Sequence, residues 1–285
     1  MLEKYEFFGK QKGKNLLVLA AIHGNETAGT NAIRRLLSEF REHKIELVSG
    51  RLTLVPVCNP KAYEKDVRQI DENLNRVIKI HQKPQTYEQE VANEVCSLIA
   101  QADVMLDLHS THCEGDVPFI ICDYSDAINE KFMNTLPVSY ILYGWPDVYA
   151  HQKNIEDCCT EHYAHICGCS GITLECGYHK SEGAIEVAYQ AIISTMSVLG
   201  MIEPRQLNNS LIKKKILIKD YVIKRKEGHL FKEYKHLDRV QKGETIAQYI
   251  DGETLCADRE GYILLPNSNA NIGAEWYYLG QDFSS

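Results

Sequence analysis

Residues 16–26 read Leu16-Leu17-Val18-Leu19-Ala20-Ala21-Ile22-His23-Gly24-Asn25-Glu26, seven apolar residues that stop at an imidazole and, three positions later, a carboxylate. So short an apolar run bounded by turn residues reads as a buried strand, and Thr27 to Arg41 behind it has the spacing of an amphipathic helix. The pattern recurs along the chain. Arg51 to Val57, Asp103 to Leu108 and Gly171 to Glu175 are strand-like, whereas Tyr87 to Gln101 and Glu182 to Leu199 are helical. Alternation of this kind implies an α/β sheet with helices on its faces.

The chain has 285 residues, room for about two domains. Residues 1 to 210 hold 19 basic and 28 acidic side chains, against 12 and 11 in 211 to 285. Beyond residue 205 the segments Leu211 to Lys224, Thr245 to Ile250, Tyr262 to Leu265 and Glu275 to Leu279 are short and β-like, separated by glycines. Glu203 to Asn209, with Pro and Asn and no apolar period, is the expected linker. The expected domains are therefore 1–204 and 210–285, the second small and β-rich.

A net charge of −8 gives no broad positive field for a phosphate backbone, which excludes nucleic acid as the expected partner. No run approaches the ~18 to 20 apolar residues that span a membrane. The first residues lack the order of a secretion signal, so the expected location is the cytoplasm and the ten cysteines are expected as thiols. Self-association is left open.

In open α/β sheets ligands sit at the carboxyl ends of strands, where His23, Glu26 and His109 all fall. A lone His-x-x-Glu is more often a helix cap beside a surface imidazole. A second His at a second strand end turns the set into the two-histidine, one-carboxylate donors of a catalytic zinc. Asp107, two residues before His109, could orient that imidazole. Glu175 ends an otherwise apolar strand, costly unless it has a partner or a task, and beside an activated water it could serve as general base. The long segment Cys58 to Pro84 has no sustained period and holds Arg68, Asp71, Asn73, Asn75 and Arg76, so it is expected as an irregular functional loop. His162 and His165 crowd with Cys158, Cys159, Cys167 and Cys169, but no Cys-x-x-Cys is present, and the run reads as a helix with thiols on its apolar side.

These residues resemble a known family. His23-Gly24-Asn25-Glu26, Asn59-Pro60, Arg68, Asn73-Leu74-Asn75-Arg76, Asp107-Leu108-His109 and Thr173-Leu174-Glu175-Cys176-Gly177 stand in the order of the aspartoacylase and succinylglutamate desuccinylase motifs, a branch of the zinc carboxypeptidase clan. Leu265-Pro266-Asn267 and Gly273 to Gly280 resemble its β domain. The resemblance implies a zinc-carboxypeptidase-like three-layer α/β/α domain with a mixed sheet, followed by a small β domain that covers the active site. It implies one zinc ion per chain on His23, Glu26 and His109, Glu175 as general base, Arg68 on the scissile carbonyl, and Asn75 with Arg76 on a substrate carboxylate. Tyr277 stands where the family places a substrate tyrosine, though a core aromatic fits it equally well.

Three departures stand out. The usual Asp-Leu-Asn-Arg reads Asn73-Leu74-Asn75-Arg76, no arginine lies between His109 and Glu175, and Cys176-Gly177-Tyr178 replaces a Gly-Pro ending. Lys153, His179 or Lys180 could supply the missing cation. The expected activity is hydrolysis of the amide of a small anionic N-acyl amino acid such as N-succinylglutamate or N-acetylaspartate. The competing readings are a metallocarboxypeptidase acting on short peptides and a non-catalytic metal- or ligand-binding protein.

Overall fold

The computed structural model describes residues 1–150, 158–204 and 212–283. In chain order the elements are β1 (Tyr5–Phe8), β2 (Gln11–Ala20), α1 (Ala28–Arg41), β3 (Ser49–Val55), α2 (Pro60–Glu64), α3 (Tyr87–Ile99), β4 (Val104–Thr111), β5 (Phe119–Ile121), α4 (Ala127–Met133), β6 (Tyr140–Tyr143), α5 (Trp145–Ala150), α6 (Thr160–Ile166), β7 (Ser170–Tyr178) and α7 (Glu182–Val198). Two compact units divide the chain: Met1–Ile141 with Glu156–Lys213, and Leu142–Ile155 with Lys214–Ser285.

In the first unit the strands lie in the order β1-β3-β2-β4-β7-β5. β2 runs parallel to β3 and β4, and β4 parallel to β7, whereas β1 and β5 are antiparallel to their neighbours, so the sheet is mixed. Helices cover both faces. Leu17, Leu19 and Met105 pack with Val91, Val95 and Ile99 of α3 and Ala164 of α6. On the other face Gly29 of α1 lies so near that a Cβ there would meet the Cβ atoms of Leu108 and Ala20 at 2.7 and 2.9 Å, and α1 packs in turn on α7. Coverage on both sides is why β2 and β4 read as near-continuous apolar runs.

Register carries this layering to the site. Met105 pairs with Gly171, Asp107 with Thr173 and His109 with Glu175. Side chains alternate with period two, so Asp107, His109 and Glu175 share the face that Met105 presents to α3 and α6. The stretch 58–84 is less irregular than its sequence implies. Asn59 caps α2 by accepting from the Ala62 N–H, and Asn73 caps a short 3₁₀ turn, Leu74–Arg76, by accepting from the Asn75 N–H. Elements this short are held by caps and not by apolar periodicity, so they left no periodic signal.

The second unit contains β8 (Lys214–Ile223), β9 (Gly228–Leu230), β10 (Asp238–Val240), β11 (Thr245–Tyr249), β12 (Thr254–Cys256), β13 (Gly261–Leu264) and β14 (Glu275–Asp282). β8, β14, β13 and β10 form antiparallel neighbours in that order, and β12, β11 and β9 form a separate three-stranded sheet. Trp276, Tyr277, Tyr249, Tyr234, Ile246 and Ile263 build their core. A boundary at 204 leaves Leu142–Ile155 in the first domain. Trp145 and Tyr149 join it to the second, with the Trp145 ring 5.7 Å from Tyr278 and the Tyr149 and Tyr278 hydroxyls 3.0 Å apart. Among the described residues no helix is long and apolar enough to cross a membrane.

His236 is buried in this unit, and its Nδ1 accepts the Leu265 N–H at 3.0 Å. Burial pushes its imidazole down from 6.5 to about 3. The unfolded chain therefore binds a proton that the folded chain refuses, and stability contributed above pH 6.5 is lost as pH falls through that window. Unfolding titrations should show this one group removing about 1.4 kcal/mol per pH unit. His236→Asn, which keeps an acceptor for Leu265, should flatten that slope, and equal acid slopes for the two proteins would refute the assignment.

Candidate active site

β2 ends at Ala20, and Ala21, at φ 49°, turns the chain out of the strand. The turn is tied down from three directions. Cys58 N–H donates to the Ala20 carbonyl and Asn59 N–H to that of Ala21, while Gly24 N–H donates to the Arg68 carbonyl. A Cβ on Gly24 would lie 2.2 Å from the Ala62 carbonyl carbon, so only glycine fits against α2 there. The Glu26 N–H then donates to the His23 carbonyl and closes the turn that brings imidazole and carboxylate together.

The structure brings His23, Glu26 and His109 into one buried group whose ligand atoms all lie within 4.8 Å of one another. His23 Nδ1 is 2.8 Å from Glu26 Oε1, and His109 Nδ1 is 2.9 Å from Glu26 Oε2. Each Nε2 is held from behind: His23 by Asn73 Oδ1 and His109 by Asp107 Oδ2, both at 3.0 Å. With Nε2 as the donor to Asn73 or Asp107, each Nδ1 would have a lone pair to offer a cation seated between it and the Glu26 carboxylate. Two neutral imidazole nitrogens and a carboxylate oxygen, each oriented by a supporting group, suit a divalent cation, so these residues could bind a metal.

Electrostatics follow from the same contacts. Burial pushes His23 down to about 4, and Arg68 adds to that. Burial alone would raise Glu26, but His23 and His109 hold its carboxyl well below the usual range. His109 would also fall with burial, yet the Asp107 and Glu26 charges outweigh it and hold it well above its ordinary value.

Glu175 lies beside His109 on the neighbouring strand. The residue is partly open, but its Oε2 is buried with no hydrogen-bond partner. Burial and then the Glu26 charge raise its carboxyl from 4.5 to about 8. A carboxylate so destabilised has the proton affinity of a base that works near neutral pH.

The remaining candidates come from the loop. Arg68 donates from Nη1 to Glu26 Oε1 at 3.0 Å while half its side chain stays exposed. Asn75 is buried and accepts the Thr160 N–H on Oδ1, which leaves its Nδ2 as the donor. Arg76 donates to the Asn75 carbonyl. The loss of charge at position 73 does not empty that place, because Asn73 Oδ1 still supplies an acceptor to His23.

Elsewhere the candidates diverge. Tyr277 is 1% exposed in the aromatic core of the second unit. Lys153 lies outside the described residues. His179 is nine-tenths buried with no partner for Nδ1, whereas Lys180 is exposed. Around α6, Cys159 caps the helix through Sγ, Cys158 and Cys169 are buried and Cys167 is exposed. Among the described residues the only group positioned for a metal is the one at Glu26. Sequence reasoning missed Thr160, whose hydroxyl donates to Asp107 Oδ2 at 2.5 Å. It also missed Glu88, a fully buried acid beneath the loop. A threonine and a glutamate in the first turns of helices look ordinary in sequence.

Comparison with known proteins bears on this geometry. Residues 12–198 match the model of the succinylglutamate desuccinylase/aspartoacylase catalytic domain. The succinylglutamate desuccinylase of Shewanella denitrificans is 35% identical over 72 residues, 25% of this chain and 20% of that protein. That of Shewanella pealeana is 36% identical over 73 residues, 26% of this chain and 21% of that protein. These matches span only about a fifth of either relative. Among solved structures, a succinylglutamate desuccinylase/aspartoacylase from Rhodobacter sphaeroides superposes with a TM-score of 0.78 at 17% identity, over 100% of this chain and 90% of the other. The product-bound Ectoine utilization protein EutE (DoeB) from Ruegeria pomeroyi gives 0.76 at 19% identity, over 98% and 88%. At such identities these likenesses speak for the fold.

Proposed function

The chain belongs to the succinylglutamate desuccinylase/aspartoacylase family, and from that premise we propose that it is a zinc-dependent hydrolase cleaving the amide of a small anionic N-acyl amino acid, such as N-succinylglutamate or N-acetylaspartate. The observation that carries this reading is the buried His23–Glu26–His109 group with the unpartnered Glu175 oxygen on the same strand-end face.

His23, Glu26 and His109 would hold one zinc ion per chain. Such an ion, when bound, supplies Lewis acidity toward a carbonyl oxygen and toward water. The protein's own residues do the rest. Glu175 takes a proton from the attacking water on its carboxylate and returns it to the departing amine nitrogen. Arg68, with half its side chain open, offers guanidinium N–H groups to the oxygen on which negative charge develops. Asn75 Nδ2 and the planar fork of Arg76 hold a substrate carboxylate, which needs local cations in a net-acidic chain.

The test is release of free amino acid from a panel of N-acyl amino acids, N-succinylglutamate and N-acetylaspartate included, by zinc-loaded protein. Turnover of at least one member in the ordinary enzymatic range, about 1 to 10³ s⁻¹, is expected. It should be lost on chelation and regained with zinc. Silence across the panel, or equal turnover of short peptides, would overturn the reading.

A further inference from the structure

Glu88 is the second residue of α3 and fully buried. Its carboxylate collects four N–H donors. Oε1 accepts from the Ile70 backbone at 2.8 Å and the Asn59 Nδ2 at 3.2 Å, and Oε2 accepts from the backbones of Asp71 and Glu72 at 3.0 and 3.3 Å. Three successive amides thus converge on one side chain, in a stretch that belongs to no helix or strand.

Where those amides lie gives the contact its meaning. Ile70 follows Arg68 by two residues, and Arg68 sends its guanidinium to Glu26 and its carbonyl to Gly24. Glu72 precedes Asn73, whose side chain supports His23 and whose 3₁₀ turn presents Asn75 and Arg76. Asn59 is the cap of α2, the helix on which Gly24 packs. Every group the loop sends to the site is therefore anchored within four residues of a bond to Glu88. The neighbouring contacts reinforce this: Asp71 Oδ2 accepts the Tyr87 N–H, and the Thr86 hydroxyl donates to Glu72.

We infer that Glu88 is a positioning residue for the amide hydrolysis proposed above, acting through Arg68 and the 73–76 turn by holding the three amides of the intervening loop. The inference rests on that reading for its chemistry but not for its structural half. A carboxylate suits the task because it is acceptor-only and serves all four donors at once. Glutamine of the same shape turns an NH₂ toward two of them, and about an ångström of drift in a group aimed at developing charge costs on the order of a hundredfold in rate.

Two measurements on the zinc-loaded full chain test it. Hydrogen exchange at Ile70, Asp71 and Glu72 should be at least about tenfold faster in Glu88→Gln than in wild type, without general acceleration in β4 or β7. With the panel member turned over fastest, Glu88→Gln should lower kcat/KM by about 10- to 100-fold. Added to a variant that already carries Arg68→Ala and Arg76→Ala, Glu88→Gln should cost no more than about threefold further, because a residue that acts through others adds little once its agents are gone. Purely additive losses would mark Glu88 as merely structural and overturn the inference, as would unchanged exchange. If Glu88→Gln does not fold, Glu88→Asp, which keeps the charge and shortens the reach, carries the same cycle. A wild-type protein silent on the panel overturns the deacylase reading and with it the catalytic half. Altered exchange in that event still establishes the anchoring.

Discussion

Glu175→Gln is expected to lower kcat by about a thousandfold while metal content, fold and KM stay close to wild type. The substitution is nearly isosteric and relieves the strand of a carboxyl whose Oε2 has no partner, so the folded state loses nothing it was using there. What disappears is proton affinity. Burial and the Glu26 charge raise the Glu175 carboxyl to about 8, so its ionised form binds a proton strongly, whereas an amide accepts no proton in that range. The check is product release under saturating substrate alongside zinc content. Activity within tenfold of wild type would remove Glu175 from the mechanism, and loss of zinc would show that it serves the metal instead. A binding protein that had shed its catalysis would show neither effect, so this variant also separates the enzyme from that competing reading.

How far the sequence reached depended on whether a feature leaves a periodic or compositional trace. β2, β4 and β7 were legible because strands buried on both faces must be apolar throughout and because chemistry begins where they stop. Their ends were less so. Gln11 to Lys14 extend β2 backward as an exposed ribbon with no apolar signature, and the positive φ of Ala21 ends it before the apolar run does. In the second unit β9, β10 and β12 are three residues each, too short for alternation to register. His109 was legible as an imidazole at a second strand end, and Asp107, two positions earlier, shares its face and holds its Nε2. Glu88 did not. An acid in the first helical turn is unremarkable there, and only the structure shows that it is buried and ringed by backbone donors. Asn73 was read as a charge lost, and the structure shows that the acceptor it retains is the part in use.

Asp107→Asn is expected to weaken metal affinity by about 10- to 100-fold with little change in overall fold. Asp107 is fully buried, and its Oδ2 serves two partners, His109 Nε2 at 3.0 Å and the Thr160 hydroxyl at 2.5 Å. As a carboxylate it accepts from both and fixes the proton of His109 on Nε2, which leaves Nδ1 directed at Glu26. Asparagine has one oxygen and two N–H donors. If that oxygen stays on His109, the amide NH₂ replaces the unpartnered Oδ1 and is buried without an acceptor; if it turns away, an N–H faces Nε2 and drives the imidazole proton to Nδ1, where a metal would bind. Either arrangement also removes the negative charge that favours an electron-rich imidazole. Thr160 shares in the outcome because its main-chain N–H donates to Asn75 Oδ1, so a shift of its hydroxyl disturbs the substrate side of the site as well. Competition against a chelator of known zinc affinity reads the first effect, and KM for the best panel substrate at saturating zinc reads the second. Wild-type zinc affinity in Asp107→Asn would show that His109 holds its tautomer without help and that this buried acid serves packing alone.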